Sequence, residues 1–277
     1  MEATDEDLLQ AARAGDRSAL ETLLLRYQSK VYRFGVKMCR DPEDAKDVLQ
    51  DTLFTMARTV RDFRGASSLS TWLYTIARSF CIKKRRRGKS TAAEPLSIDA
   101  VEEKDATKVA HPGPGPEEDL QSRQLEGVLA EAIAALAPMY REVLVLRDIE
   151  GLSAPQVAEV LGISVNAVKS RLHRARLEIR RSIASLLEVG EEKPAPGRSR
   201  MCPDVLRLFS RHLEGEISAE VCAEMERHVE GCRRCREACA SLQRTLALCR
   251  TLPVPEVPGP VQESIRKGLR TVLAANS

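Results

Sequence analysis

The run Ser153-Ala-Pro-Gln-Val-Ala-Glu-Val-Leu-Gly162, continued by Ile163-Ser-Val-Asn-Ala-Val-Lys-Ser-Arg-Leu-His-Arg-Ala-Arg176, carries two helical periods separated by a glycine. Ser153 and Gln156 have the spacing of a capping box, in which each side chain satisfies the other residue's backbone N–H at a helix start. Val157, Ala158, Val160 and Leu161 give that helix an apolar face, and Gly162 supplies the left-handed residue that ends it. Ser164 caps a second helix, on which Val168, Leu172, Ala175 and Ile179 share one face while Lys169, His173, Arg176 and Arg180 cluster on another. Helix, glycine turn and capped basic helix form a helix-turn-helix pattern. Its second helix would enter a major groove with Val165, Asn166, Lys169 and Ser170 nearest the base edges and its arginines on phosphates. A plain helical hairpin with a solvated basic face has the same periods.

Outward from this segment, the chain reads as all-α. Of its 277 residues 43% are apolar, 30% charged and only 4% aromatic, a composition that favours packed helices over sheets. Lys and Arg number 43 against 40 Asp and Glu, so a net charge of +3 identifies no partner until the charges are located along the chain. Pro- and Gly-rich stretches break the periodicity, notably His111-Pro-Gly-Pro-Gly-Pro116, Pro194-Ala-Pro-Gly197 and Pro253-Val-Pro-Glu-Val-Pro-Gly-Pro260. The expected modules are 1–88, 121–188 and 201–250, with flexible linkers at 89–120 and 189–200 and a Pro-rich tether with an amphipathic tail helix over 251–277. That tail shows Val261, Ile265, Leu269, Val272 and Leu273 on one apolar face. The acidic start lacks a signal peptide's pattern and no apolar run is long enough to span a bilayer, so a cytoplasmic protein without a membrane partner is expected.

In the first module, Asp44, Asp47 and Asp51 recur at helical spacing beside Val48, placing three carboxylates on one helix face. Downstream the sign inverts, for Lys83-Lys-Arg-Arg-Arg87 follows Trp72-Leu-Tyr-Thr-Ile-Ala-Arg78. Cations for phosphates next to rings for unstacked bases suit melted DNA, whereas Trp72 and Tyr74 taken by themselves read as core.

Asp44-Ala-Lys-Asp-Val-Leu-Gln-Asp51, the stretch from Phe63-Arg-Gly65 to Thr71-Trp-Leu-Tyr-Thr-Ile-Ala-Arg78, and Val168-Lys-Ser-Arg-Leu-His-Arg-Ala-Arg176 together resemble the extracytoplasmic-function sigma factors of bacterial RNA polymerase. The resemblance covers about Asp5 to Leu187 and implies a region 2 helical bundle, a flexible linker and a region 4 helix-turn-helix bundle. It implies a non-enzymatic initiation factor whose Asp44, Asp47, Val48, Gln50 and Asp51 dock on the polymerase clamp helices, with the flap as the second contact on the core enzyme. Phe63, Arg64, Ser68, Trp72, Arg78, Ser79, Arg85 and Arg86 would capture the melted −10 promoter element. Val165, Asn166, Lys169, Ser170, Arg171, His173, Arg174 and Arg176 would read the −35 element as duplex. The family commonly has Asn where this chain has Ser79, and aromatic and acidic residues where it has Ala154-Pro155.

Six of the eight cysteines fall in the last third, whereas Cys39 and Cys81 lie in the first module as expected core residues. His228-Val-Glu-Gly-Cys232-Arg-Arg-Cys235 has the spacing at which one imidazole and two thiolates converge on a tetrahedral metal, and Cys202 is the expected fourth ligand. Cys222, Cys239 and Cys249 are further candidates, since soft thiolates select zinc, cadmium or copper. Residues 201–237 resemble the zinc-binding anti-sigma domain, and the fusion as a whole is similar to the metal-responsive CorE-type group. That implies a small helical metal-binding domain contacting the sigma regions within one chain and adjusting their activity in a stress response to copper, or to cadmium and zinc. A structural zinc site and a thiol redox switch remain open beside it. The sequence has no glycine-rich phosphate loop and no His-Glu-x-x-His, in keeping with a protein that is not an enzyme.

Overall fold

Short polar side chains set the helix starts. Asp16 accepts from the N–H groups of Ser18 and Ala19, Asp41 from Glu43, Asp204 from Arg207 and Ser218 from Val221, so each chain reversal places a carboxylate or hydroxyl on otherwise unpaired helix N–H groups. The structure, a computed structural model, describes residues 3–39, 41–91, 116–183 and 202–275. Among these residues there is no strand.

Four helices form the first module: α1 (Asp5–Arg13), α2 (Arg17–Met38), α3 (Pro42–Thr59) and α4 (Leu69–Thr91). Leu23, Leu24, Phe34, Val48, Leu49, Met56, Leu73 and Ala77 fill the space between them, each at most 1% exposed. Gly35 lets α2 and α3 approach closely, since a Cβ there would lie 3.2 Å from the carbonyl oxygen of Ala45. The second module comprises α5 (Pro116–Ala135), α6 (Pro138–Leu144) with a widened turn over Val145–Ile149, α7 (Ala154–Leu161) and α8 (Val165–Ile183). The expected linker at 89–120 is helical at both described ends, 89–91 closing α4 and 116–120 opening α5, whereas that at 189–200 lies outside the described residues.

In the last module, α9 (Val205–Leu213), α10 (Ala219–Gly231) and α11 (Arg233–Thr251) surround a small core of Val205, Met225, Cys235 and Cys239. The Pro-rich tether is not free: Leu252 and Val257 are buried in the main core together with Cys249. It delivers α12 (Gly259–Ala275) to α3, where Ile265 and Leu269 are buried. The tail's apolar face therefore docks on the first module.

Candidate nucleic-acid interface and metal centre

The helix-turn-helix forms as its caps dictate. Ser153 N–H donates to Gln156 Oε1 at 2.8 Å, Gly162 adopts φ 65°, and Ala167 N–H donates to Ser164 Oγ at 3.2 Å. Val168, Leu172, Ala175 and Ile179 are all fully buried, which turns Asn166, Ser170 and Arg174 to the exposed side and leaves Val165, Lys169, Arg171 and His173 half-buried. Burial pushes the His173 imidazole below its usual range, favouring the neutral ring at pH 7.

Arg176 departs from the expected phosphate contact. It is 1% exposed and pairs with Asp148 through Nε at 2.8 Å and Nη2 at 2.7 Å, while Nη2 also reaches Glu214 at 2.8 Å and Nη1 reaches Ser210 Oγ at 3.1 Å. A guanidinium fork matches carboxylates in this way, and three acceptors offset the desolvation. Glu214 also accepts from Arg147 at 3.0 Å, and Glu216 pairs with Lys169. The turn between α9 and α10 thus lays two carboxylates on basic residues of the second module. Between α8 and α9 lies a cleft of about 420 Å³.

In the first module, the rings of Phe63 and Trp72 pack with centroids 4.8 Å apart, and with Asp62, Arg64 and Ser67 they line an open cleft of about 290 Å³. Ser68 caps the start of α4 and accepts from Gln156 Nε2 at 3.1 Å. Arg78 donates to Glu142 at 3.1 Å, and Arg85 lies 3.9 Å from the same carboxylate. Ser79 and Arg86 are exposed, while Tyr74 is buried, its hydroxyl donating to Glu150 at 2.6 Å. Arg33 completes a bidentate pair with Glu150 at 2.7 and 2.6 Å.

On α3, Asp51 is exposed, Gln50 is half-buried, and Asp44 and Asp47 are bridged by Lys84, which lies 3.2 Å from Asp44. Val48, expected at the docking face, is in the core. Gly268 of α12 sits against the ring of Phe54 on α3, where an added Cβ would overlap the ring.

Cys202, His228, Cys232 and Cys235 converge, their ligand atoms lying within 4.8 Å of one another and His228 Nε2 lying 3.2 Å from Cys235 Sγ. The backbone N–H of Cys235 holds the Cys232 thiol below its usual range, whereas burial, followed by the neighbouring Cys232, pushes Cys235 up to about 12. Two thiols so arranged resist ionising together, and a divalent cation relieves the conflict; the donor set fits zinc, which takes four such ligands tetrahedrally. The extra cysteines stand elsewhere. Cys222 Sγ is 3.4 Å from His212 Nδ1, Cys239 packs beside Cys235 in the small core, and Cys249 is fully buried in the main core.

The sigma-70 region 2 family model matches residues 23–91, and the sigma-70 region 4 model matches residues 126–179. The RNA polymerase sigma-H factor of Pseudomonas aeruginosa is 30% identical over 187 residues, covering 66% of this chain and 95% of that protein. The ECF RNA polymerase sigma-E factor of Escherichia coli K12 is 30% identical over 188 residues, covering 66% and 96%. The chain belongs to the extracytoplasmic-function sigma-70 factors.

Residues 202–236 of this sigma factor match a further family model described as "Putative zinc-finger". Among solved structures, the sigma factor RpoE in complex with the anti-sigma factor NepR from Bartonella quintana is similar at 26% identity and a TM-score of 0.47, covering 61% of this chain and 97% of that one. As a member of its family, this sigma factor serves transcription initiation with core RNA polymerase and promoter DNA, and it is not an enzyme. Sequence reasoning gave no pairing to the carboxylates Glu142, Glu150, Glu214 and Glu216, which hold Arg78, Arg33, Arg176 and Lys169 respectively. The sequence offered a signal only for Glu214 and Glu216, which flank a glycine and so fall in the turn after α9.

Proposed function

We propose that this sigma factor is restrained in cis by its C-terminal module, and that metal binding to that module adjusts the restraint, as in the CorE-type group. The observation that carries the reading is the pair Glu214 and Glu216: Glu216 occupies Lys169, for which a duplex phosphate would otherwise compete, while Glu214 anchors the turn after α9 to Arg147 and to the buried Arg176. In this reading Asn166, Ser170, Arg171, His173 and Arg174 read the −35 element once α9 withdraws, while region 4 also meets the flap. Phe63, Trp72 and the cleft beside them take an unstacked −10 base, with Arg64, Ser68, Ser79 and Arg86 on the strand. Asp44, Asp47, Gln50 and Asp51 meet the clamp helices.

Cys202, His228, Cys232 and Cys235 would hold the metal, zinc by their donor set and cadmium or copper(I) by competition at the thiolates. By holding a metal together, Cys202 before α9 and His228, Cys232 and Cys235 around the α10–α11 junction would be tied to one another. That tie bears on the turn presenting Glu214 and Glu216, because α9 ends one residue before Glu214. A ligand can bias this equilibrium only through different affinities for the docked and released states.

Glu214→Ala combined with Glu216→Ala should raise affinity for a −35 duplex, and the wild-type chain should change its transcription with purified polymerase when zinc, cadmium or copper is varied. Unchanged duplex affinity in the double variant would sink restraint by these carboxylates, and indifference to every metal would sink the regulatory part. A second reading, a purely structural zinc, is favoured by the four-ligand set itself, because a closed shell leaves no open position. Under that reading stability follows the metal while transcription by the intact chain does not respond to metal exchange.

A further inference from the structure

Cys39 and Cys81 take no part in the metal set, yet they face each other. Their sulfurs are 3.7 Å apart across 42 residues of sequence. Cys39 closes α2, its N–H donating to the Gly35 carbonyl at 2.7 Å, and its side chain is half-buried. Cys81 projects from the middle of α4 and is 7% exposed. The separation is a van der Waals contact between thiols, and a modest rotation of each side chain is what separates such a contact from a bond near 2.05 Å.

The two environments are unequal. Its hydrogen-bonded contact with Cys81 holds the Cys39 thiol below the usual range, against burial and the nearby Asp44, with Lys84 assisting. Cys81 is pushed far up by that contact, by burial and by Glu142, with Arg85 opposing. One sulfur is therefore reachable and biased toward thiolate, and the other is sheltered and protonated. Attacking and resolving cysteines of a redox pair divide their roles in this way.

We propose that Cys39 and Cys81 form an oxidisable dithiol that closes to a disulfide when the chain meets a hydroperoxide. The Cys39 thiolate attacks the peroxide oxygen, breaking the O–O bond and giving a sulfenic acid plus hydroxide, or water after protonation. The Cys81 sulfur then attacks the Cys39 sulfur; the S–O bond breaks, and the departing hydroxyl leaves as water with the Cys81 proton. Two thiols are oxidised, one peroxide is reduced, and the end of α2 is tied to α4 one turn before Lys84, the residue bridging Asp44 and Asp47.

The test uses the full chain, reduced and then exposed to hydrogen peroxide, alkylated, digested and mapped by mass spectrometry. The expected product joins the Cys39 and Cys81 peptides, is two hydrogens lighter than their sum and is released by dithiothreitol. Cys39→Ser removes it and leaves Cys81 alkylatable after denaturation. Cys81→Ala leaves Cys39 as a sulfenic acid trapped by dimedone, and oxidation raises the melting temperature of the wild type alone. Recovery of both thiols in reduced form while the cysteines of the metal set have oxidised would overturn the proposal, as would a bond from Cys39 to any C-terminal cysteine.

Discussion

Arg176 keeps its charge inside the protein, where Asp148 and Glu214 hold it from two directions. Charges with several acceptors in a dry site are retained because removing one partner strands the others. Arg176→Ala should therefore lower stability by about 3–5 kcal/mol, read as a reduced urea midpoint, because it leaves the buried Asp148 uncompensated and Glu214 with Arg147 alone. A surface arginine such as Arg233, 90% exposed at its side chain and paired with Glu237, should change the midpoint hardly at all on the same substitution. The helical position of Arg176 was legible in sequence, and so was its basic neighbourhood. Its burial was not, because its partners lie 28 and 38 residues away and periodicity within one helix says nothing about carboxylates on others.

At the scale of the element, α12 illustrates the difference between recognising a helix and locating it. Its apolar spacing announced the helix, and among its described side chains Ile265 and Leu269 are buried, while that of Leu273 lies outside them. Docking on α3 depended on a shape match that no hydrophobic pattern encodes, the absence of a side chain at Gly268 against the ring of Phe54. Gly268→Leu should overpack that contact at a cost of about 1–3 kcal/mol. The docking equilibrium would then shift by roughly 5–150-fold toward release. Limited proteolysis between Leu252 and Gly259 should become faster, and affinity for core polymerase should rise if α12 competes for α3. The capping box of α7 and the His-x3-Cys-x2-Cys set were by contrast fully local, so spacing alone brought those residues together.

Across the whole molecule, the modules are joined by carboxylates that cross between them. Glu142 and Glu150 of the second module hold Arg78, Arg33 and Tyr74 of the first, and Glu214 of the third holds Arg147 and Arg176 of the second. Metal removal tests how independent the parts are. A chelator should raise hydrogen exchange in α9, α10 and the first turns of α11, where the metal set and the small core reside. The last turns of α11 should stay protected, since Cys249 is buried in the core shared with the first two modules. Order along the chain has its own consequence. At synthesis rates of about 5–20 residues per second, α3 leaves the ribosome some 10–40 s before α12 exists. Every new copy thus passes through an interval in which the α3 face has no cover, and the rate of translation sets how long it lasts.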